Sequence, residues 1–240
     1  MSPVTEIRSY LEARTDEKYG KFTASLVPGC GPLLGVRLPE LRAAAGWLAA
    51  GFEQDRSRFE AYAAYTLSGK AVYQEELLIH GLAIGYVRAD IETVLGLFGG
   101  FMPLMTNWAV CDPVVMTLKI IKKNRARVWD FMEACLASGK TYYIRAAVVA
   151  MLDYFVTEEY LPRVLSAADS IRHDDYYVKM AVAWCISVCF VKFPEQVRPY
   201  LEHNGLDDDT FNKTIRKILE SRRCPAEMKN TLRNMKRQKP

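Results

Sequence analysis

Apolar residues recur along this chain at helical spacing and almost nowhere in strand alternation. Ile7, Tyr10 and Leu11 mark one face of a first segment, Met1 to Ala13, which Ser2 or Thr5 can cap. Phe22 to Val27 predicts a short second helix. It stops at Pro28-Gly29-Cys30-Gly31-Pro32, a run that neither helix nor strand accepts in its interior. Pro39 suits the first position of a helix, where its missing N–H has no intrahelical partner to lose, and Leu41 to Phe52 continues in alanine-rich style. Phe59 to Leu67 and Val72 to Tyr86 extend the pattern on either side of Ser68-Gly69-Lys70. Asp90 can cap a further helix that runs into Gly99-Gly100. With no period-two alternation sustained between turns, the prediction is all-α, and short connections make consecutive helices antiparallel neighbours.

The helices also repeat. Tyr142-Tyr143-Ile144-Arg145-Ala146-Ala147-Val148 matches Tyr176-Tyr177-Val178-Lys179-Met180-Ala181-Val182 position for position, 34 residues further on. Tyr160-Leu161-Pro162-Arg163-Val164-Leu165 is echoed, with small insertions, by Glu195-Gln196-Val197-Arg198-Pro199-Tyr200-Leu201. A two-helix unit at this period predicts an α-solenoid of the HEAT or TPR sort, a single domain over residues 1–240 whose equivalent helices line a concave face. Arg145 and Lys179 then stand at equivalent points of that face, one repeat apart. The alternative is that two amphipathic helices are alike by chance.

Composition sharpens this picture in two places. Half of the 240 residues are apolar, ample for a continuous core, and the formal charge of +4 matters less than its distribution. Between Asn212 and Pro240 stand Lys213, Arg216, Lys217, Arg222, Arg223, Lys229, Arg233, Lys236, Arg237 and Lys239 against Glu220 and Glu227. The helices of about 207–240 are therefore basic, and a basic concave face leans toward phosphate or acidic partners. Cysteines 30, 111, 135, 185, 189 and 224 form no CxxC and have no histidines at zinc-finger spacing, so no metal site is expected. Cys185 and Cys189 share a face of an apolar run, which predicts buried, inert thiols. The first twenty residues carry Arg8, Arg14 and several acids without an apolar core, and no apolar run reaches membrane length, so neither a leader nor a membrane partner is expected. A reducing cytoplasm fits. No glycine-rich phosphate loop is present, so no nucleotide cofactor is expected, and polar end helices predict a monomer.

A few side chains could carry chemistry. Trp108 and Asp112 are four apart and share one face if their segment is helical. Pro113 pushes the residue before it out of the α region, and Asp-Pro is a favoured N-cap and N1 pair, so a cap of about 1 kcal/mol competes with a functional carboxylate. Both can hold at once, since the dipole field at a helix start favours an ionised carboxylate. Trp184 lies in Val178 to Val191, apolar on nearly every side, where core packing competes with a surface role; Trp47 and Trp129 are assigned to packing. Arg145 and Lys179 sit in very apolar helices and need a partner, such as Asp153 or Asp175, or a phosphate. His80, His173 and His203 are scattered without a triad order. Glu75-Glu76 opens an apolar helix and suits its positive dipole end.

Four motifs, in order, resemble a known family. Leu34-Gly35-Val36-Arg37-Leu38-Pro39-Glu40-Leu41-Arg42, Asn107-Trp108-Ala109-Val110-Cys111-Asp112, Tyr143-Ile144-Arg145-Ala146-Ala147 and Ala181-Val182-Ala183-Trp184 look like the bacterial DNA alkylation repair glycosylases of AlkD type, which are built from HEAT-like repeats. The likeness runs from about Glu17 to Glu220. It implies excision of N3- or N7-alkylated purines from double-stranded DNA by cleavage of the N-glycosidic bond, in the cytoplasm at the nucleoid. It further implies that Asp112 is the catalytic carboxylate, Trp108 and Trp184 the paired indoles beside the damaged nucleotide, and Arg145 a cation facing the backbone. Arg37, inside the first motif, and Lys179, the repeat partner of Arg145, complete the expected DNA contacts. Two positions depart from the pattern: Pro113, directly after Asp112, and Ser187, where a further cation for phosphate is expected. Two other readings stay open. A non-catalytic helical-repeat protein that binds DNA structure or damage keeps the basic face without needing Asp112, and a protein-interaction solenoid scatters the cations over all faces.

Overall fold

Six of the helix starts are set by a side chain one residue outside the helix. Ser2, Asp16, Asp90, Asn107, Asp175 and Asp207 each accept a first-turn backbone N–H from the N-cap position, satisfying donors that have no partner inside the helix. The computed structural model describes residues 1–224 and 226–237, so Lys239 of the basic tail lies outside the described residues. Every regular element among them is helical.

The chain divides into two compact units, Met1–Asn124 and the remainder from Arg125. The first holds α1 (Pro3–Glu12), α2 (Glu17–Leu26), α3 (Leu38–Ala49), α4 (Ser57–Leu67), α5 (Gln74–Ile84), α6 (Ile91–Phe101) and α7 (Trp108–Val115), and it closes on a 3-10 turn, Lys119–Lys123. The second holds α8 (Arg125–Leu136), α9 (Thr141–Ala150), α10 (Leu161–Ser170), α11 (Tyr176–Lys192), α12 (Pro194–Glu202), α13 (Asp208–Glu220) and α14 (Met228–Asn234), with a π-helical turn, Met151–Phe155, extending α9.

Within each unit alternate helices form a row. α1, α3, α5 and α7 pack each against the next, with α4 and α6 against α5; in the second unit α9, α11 and α13 do the same, flanked by α8, α10, α12 and α14. This is the α-solenoid layout of helical repeats. It explains why α5 and α11 read as apolar on almost all sides: a row helix is covered by neighbours on both edges and by its own repeat partner. The predicted equivalence of Tyr142–Val148 and Tyr176–Val182 is physical, since α9 and α11 are neighbours in the row and the rings of Tyr142 and Tyr177 lie 6.3 Å apart.

α2 is longer than apolar spacing predicts because apolar spacing does not hold it. Only Gly20 of this helix is buried, and Phe22 and Leu26 are exposed. Its start is set by Asp16, whose carboxylate accepts from Tyr19 N–H at 2.9 Å, and by a backbone approach to Gly35. Gly35 has φ +78, and a Cβ there would stand 2.0 Å from the Asp16 carbonyl oxygen, so this position accepts only glycine. α3 begins at Leu38 with Pro39 in its first turn, one residue before the predicted start.

The first turn of α5 anchors the first unit. Gln74, Glu75 and Glu76 are all buried. Glu76 accepts from Arg8 of α1 at 2.7 Å, from the Tyr65 hydroxyl of α4 at 3.0 Å, and from Val72 and Tyr73 N–H at 2.8 and 3.0 Å. Glu75 accepts from Gly35 and Val36 N–H at 2.7 and 3.3 Å, and burial pushes its carboxyl above the usual range despite those bonds. These acids do more than complement a dipole: they tie three segments to one helix end.

Further along α5, His80 packs edge-on between Phe59 and Phe101, at 5.6 and 5.0 Å, and its Nδ1 hydrogen-bonds Thr66 Oγ1 at 2.7 Å. Burial lowers its pKa from 6.5 to about 4. The unfolded chain then binds a proton between those values that the folded chain refuses, so stability is full above pH 6.5 and falls as the pH drops toward 4. At 1.36 kcal/mol per unit the group contributes about 3 kcal/mol of acid destabilisation. Urea unfolding at pH 7 and pH 4 should show this loss in the wild type and less of it in His80→Gln; equal losses would remove His80 as its source.

Trp129 is core, as predicted, with Phe155 and Tyr160 rings at 5.3 and 5.8 Å. Trp47 is not. It is 37% exposed with the Arg58 guanidinium 4.7 Å over its ring, because the buried face of α3 runs through Leu41, Ala44, Ala45 and Leu48 and turns position 47 outward. Cys185 and Cys189 are buried, as expected, and so are Cys111, Cys135 and Cys224, while Cys30 is half-exposed in the proline-glycine turn.

Candidate functional site

The cap of α7 decides how Trp108 and Asp112 are presented. Asn107 stands at the N-cap in extended backbone and accepts from Val110 N–H at 3.1 Å, so Trp108 is the first helical residue and Asp112 lies one turn on, above the same face. Of the readings left open for Asp112, the helix cap with Pro113 at the first helical position does not occur. Asp112 is inside the helix, its carbonyl accepting from Met116 N–H at 3.0 Å, and Pro113 is an interior proline. Asn wins because its side chain meets the open donors three residues later; Pro113 instead removes the bond its N–H would have made to Ala109. Asp112 is 7% exposed, and Trp108 is half-buried.

Arg37 occupies the N-cap position of α3 and is largely exposed. It reaches Asp16 at 3.0 Å and stacks 4.3 Å over the Tyr19 ring. The Asp16 carboxyl is held below its usual range by the Tyr19 backbone N–H first and by Arg37 second.

In the second unit Arg145 is 6% exposed and donates from Nη1 to the Tyr177 carbonyl at 2.7 Å, in the first turn of α11. Lys179, one repeat on, reaches Asp207 at 3.3 Å and Asp209 at 3.8 Å, at the start of α13. Lys213 is a further 34 residues along and pairs with Asp209. Arg145 and Lys179 thus each reach forward to the start of the next row helix and staple successive repeats. Lys179 pairs with Asp207 and Asp209 rather than the expected Asp153 or Asp175, since Asp175 is itself the α11 cap. Partial burial would raise the Asp207 carboxyl, but bonds from Thr210 and Lys179 outweigh it and hold the group below its usual range.

Trp184 is half-buried, on a strip of α11 with Tyr177, Met180 and Val188 that keeps partial access to solvent at helical spacing. The full enclosure that its apolar surroundings suggest does not occur. Trp108 and Asp112 are thus brought together on one helix of the first unit, and Arg145 is brought onto the helix that carries Lys179 and Trp184 in the second.

A family model described as DNA alkylation repair enzyme matches residues 7–222. The chain belongs to that family. A comparison with curated proteins finds no match. The match spans all six residues singled out from the sequence, and membership makes the chain an enzyme of DNA alkylation repair and points to DNA as its partner. Among the described residues, no helix is long and apolar enough to cross a membrane.

This DNA alkylation repair enzyme also carries a cationic feature that reading for repeats and for the C-terminal tail overlooked. Directly after α7, Lys119, Lys122 and Lys123 share one 3-10 turn and are exposed. With three residues per turn, Lys119 and Lys122 stand above one another. The signal was in the chain: five cations and no acid lie between Asp112 and Asp130.

Proposed function

We propose that this DNA alkylation repair enzyme is an N-glycosylase that releases cationic N3- or N7-alkylated purines from double-stranded DNA. The observation that carries the reading is the α7 face, where a shielded carboxylate and an indole stand one turn apart in a helix fixed by its own cap. An alkylated purine already bears positive charge, so it departs as a neutral base taking the C1′–N bonding pair, with no strong acid needed. Positive charge then develops on the deoxyribose, and Asp112 stabilises it most where water is excluded. The Trp108 indole adds cation–π attraction of about 1 kcal/mol. Water adds to C1′ and loses a proton, which completes hydrolysis. The reaction needs only the duplex and water.

Trp184, Arg145, Lys179 and Arg37 are assigned to contacts with the same duplex, Arg37 as the most open of the cations and Lys179 through exchange of its carboxylate partners for phosphate. The test is chromatography of bases released from methylated duplex DNA: N7-methylguanine above the uncatalysed background is expected, and its absence would end the glycosylase reading.

The lysine turn is assigned to phosphate. Replacing Lys119 and Lys123 with Ser should flatten the slope of log affinity against log salt by about 0.9 for each phosphate that is no longer neutralised. An unchanged slope in DNA binding titrated at several salt concentrations would remove the turn from the interface.

A further inference from the structure

Helix α7 cannot hold its own direction. It has 8 residues, below the length at which an isolated helix persists, and Pro113 deprives it of an interior bond. Its start, however, is tied to the buried first turn of α5. Asn107, 6% exposed, caps α7 with Oδ1 and donates from Nδ2 to Gln74 Oε1 at 2.7 Å. Gln74, 4% exposed, is the first residue of α5, and its own N–H donates to the Pro32 carbonyl at 3.0 Å. The next two residues of α5 are Glu75 and Glu76, tied to the Gly35 loop and to α1 and α4.

A buried amide pair is a costly way to fill this space. An apolar pair would avoid desolvating four polar groups, and a neutral hydrogen bond adds little net stability. What the amides supply, and apolar side chains do not, is a fixed direction between two helix ends. Trp108 follows Asn107 directly and Asp112 stands one turn beyond, so any pivot of α7 about its cap carries both side chains with it.

We propose that Gln74 is a positioning residue for base excision, acting through Asn107 to aim Trp108 and Asp112. This rests on the glycosylase reading above and deepens it. Gln74 touches neither reacting atom, and its effect is on the rate of bond breaking rather than on the grip on DNA.

The experiment compares single-turnover release of N7-methylguanine, DNA affinity and melting temperature for the full chain and four variants. Gln74→Met keeps shape and removes the acceptor. Asn107→Ser keeps a good cap but is too short to reach Gln74. Each should slow release at least tenfold, in line with the sensitivity of reacting geometry to sub-ångström shifts, while affinity changes less than about twofold. Gln74→Glu, which retains an acceptor at the same reach, should restore most of the rate. The double variant should be no slower than either single one, because both cut the same bond. Folding is read independently by circular dichroism, so a variant that fails to fold is identified and Asn107→Ser decides alone. Wild-type rates in folded Gln74→Met and Asn107→Ser would overturn the positioning role while leaving glycosylase activity intact. A wild-type chain that releases no base would instead overturn the parent reading, and this one with it.

Discussion

Asp112→Asn is expected to cut release of N7-methylguanine from methylated duplex DNA by at least about 100-fold, with affinity for the duplex unchanged or slightly raised. The substitution preserves size and planarity, so α7 and its Asn107 cap remain in place. It removes the negative charge and turns one acceptor oxygen into a donor. Asp112 is 7% exposed, so water screens that charge weakly, and a fixed charge facing a developing cation in such a setting is worth several kcal/mol. DNA carries the same sign as the lost carboxylate, which is why binding should not suffer. Single-turnover release measured beside duplex affinity separates the two quantities. Equal release by mutant and wild type would take Asp112 out of the chemistry.

The largest effect on stability is expected from Glu76→Ala, at about 3 kcal/mol. Glu76 is fully buried and receives the Arg8 guanidinium, the Tyr65 hydroxyl and two backbone N–H groups. Alanine leaves all of these donors without their acceptor, and the partly buried guanidinium without its counter-charge. The loss falls where α1, α4 and α5 meet, so it should lower the urea midpoint of the first unit. Glu76→Gln keeps one acceptor oxygen and should lose roughly half as much. A change below about 1 kcal/mol for the alanine variant would mean that the pair is solvated and that α1 is held by Ile7 and Leu11 instead.

Much of the fold was legible in the chain because its signals are local. Ser2 and Asp90 cap the helices they were expected to cap, and the 34-residue echo of Arg145 in Lys179 places both on neighbouring row helices. The pairing of Trp108 with Asp112 on one face was likewise available from their spacing once the segment was helical. Reading failed where two local signals competed. Asn107 and Asp112 both suit a helix start, and Asp112 had the proline beside it; the start lies at Asn107, whose amide also finds Gln74. The first turn of α2 escaped because a glycine contact and one cap, rather than an apolar face, define it.

By itself, then, the order of residues determined the helices, their repeat and the types of side chain offered for chemistry, since periodicity and caps act within a few positions. Only the tertiary structure decided what each polar group does there. Arg8 meets Glu76 across 68 positions, Asn107 meets Gln74 across 33, and Lys179 meets Asp207 across 28. Pairings between side chains of different helices leave no local signal in a single chain, and a buried charge or amide takes whichever partner the packed helices bring within about 3 Å, because leaving it alone costs more than any local preference.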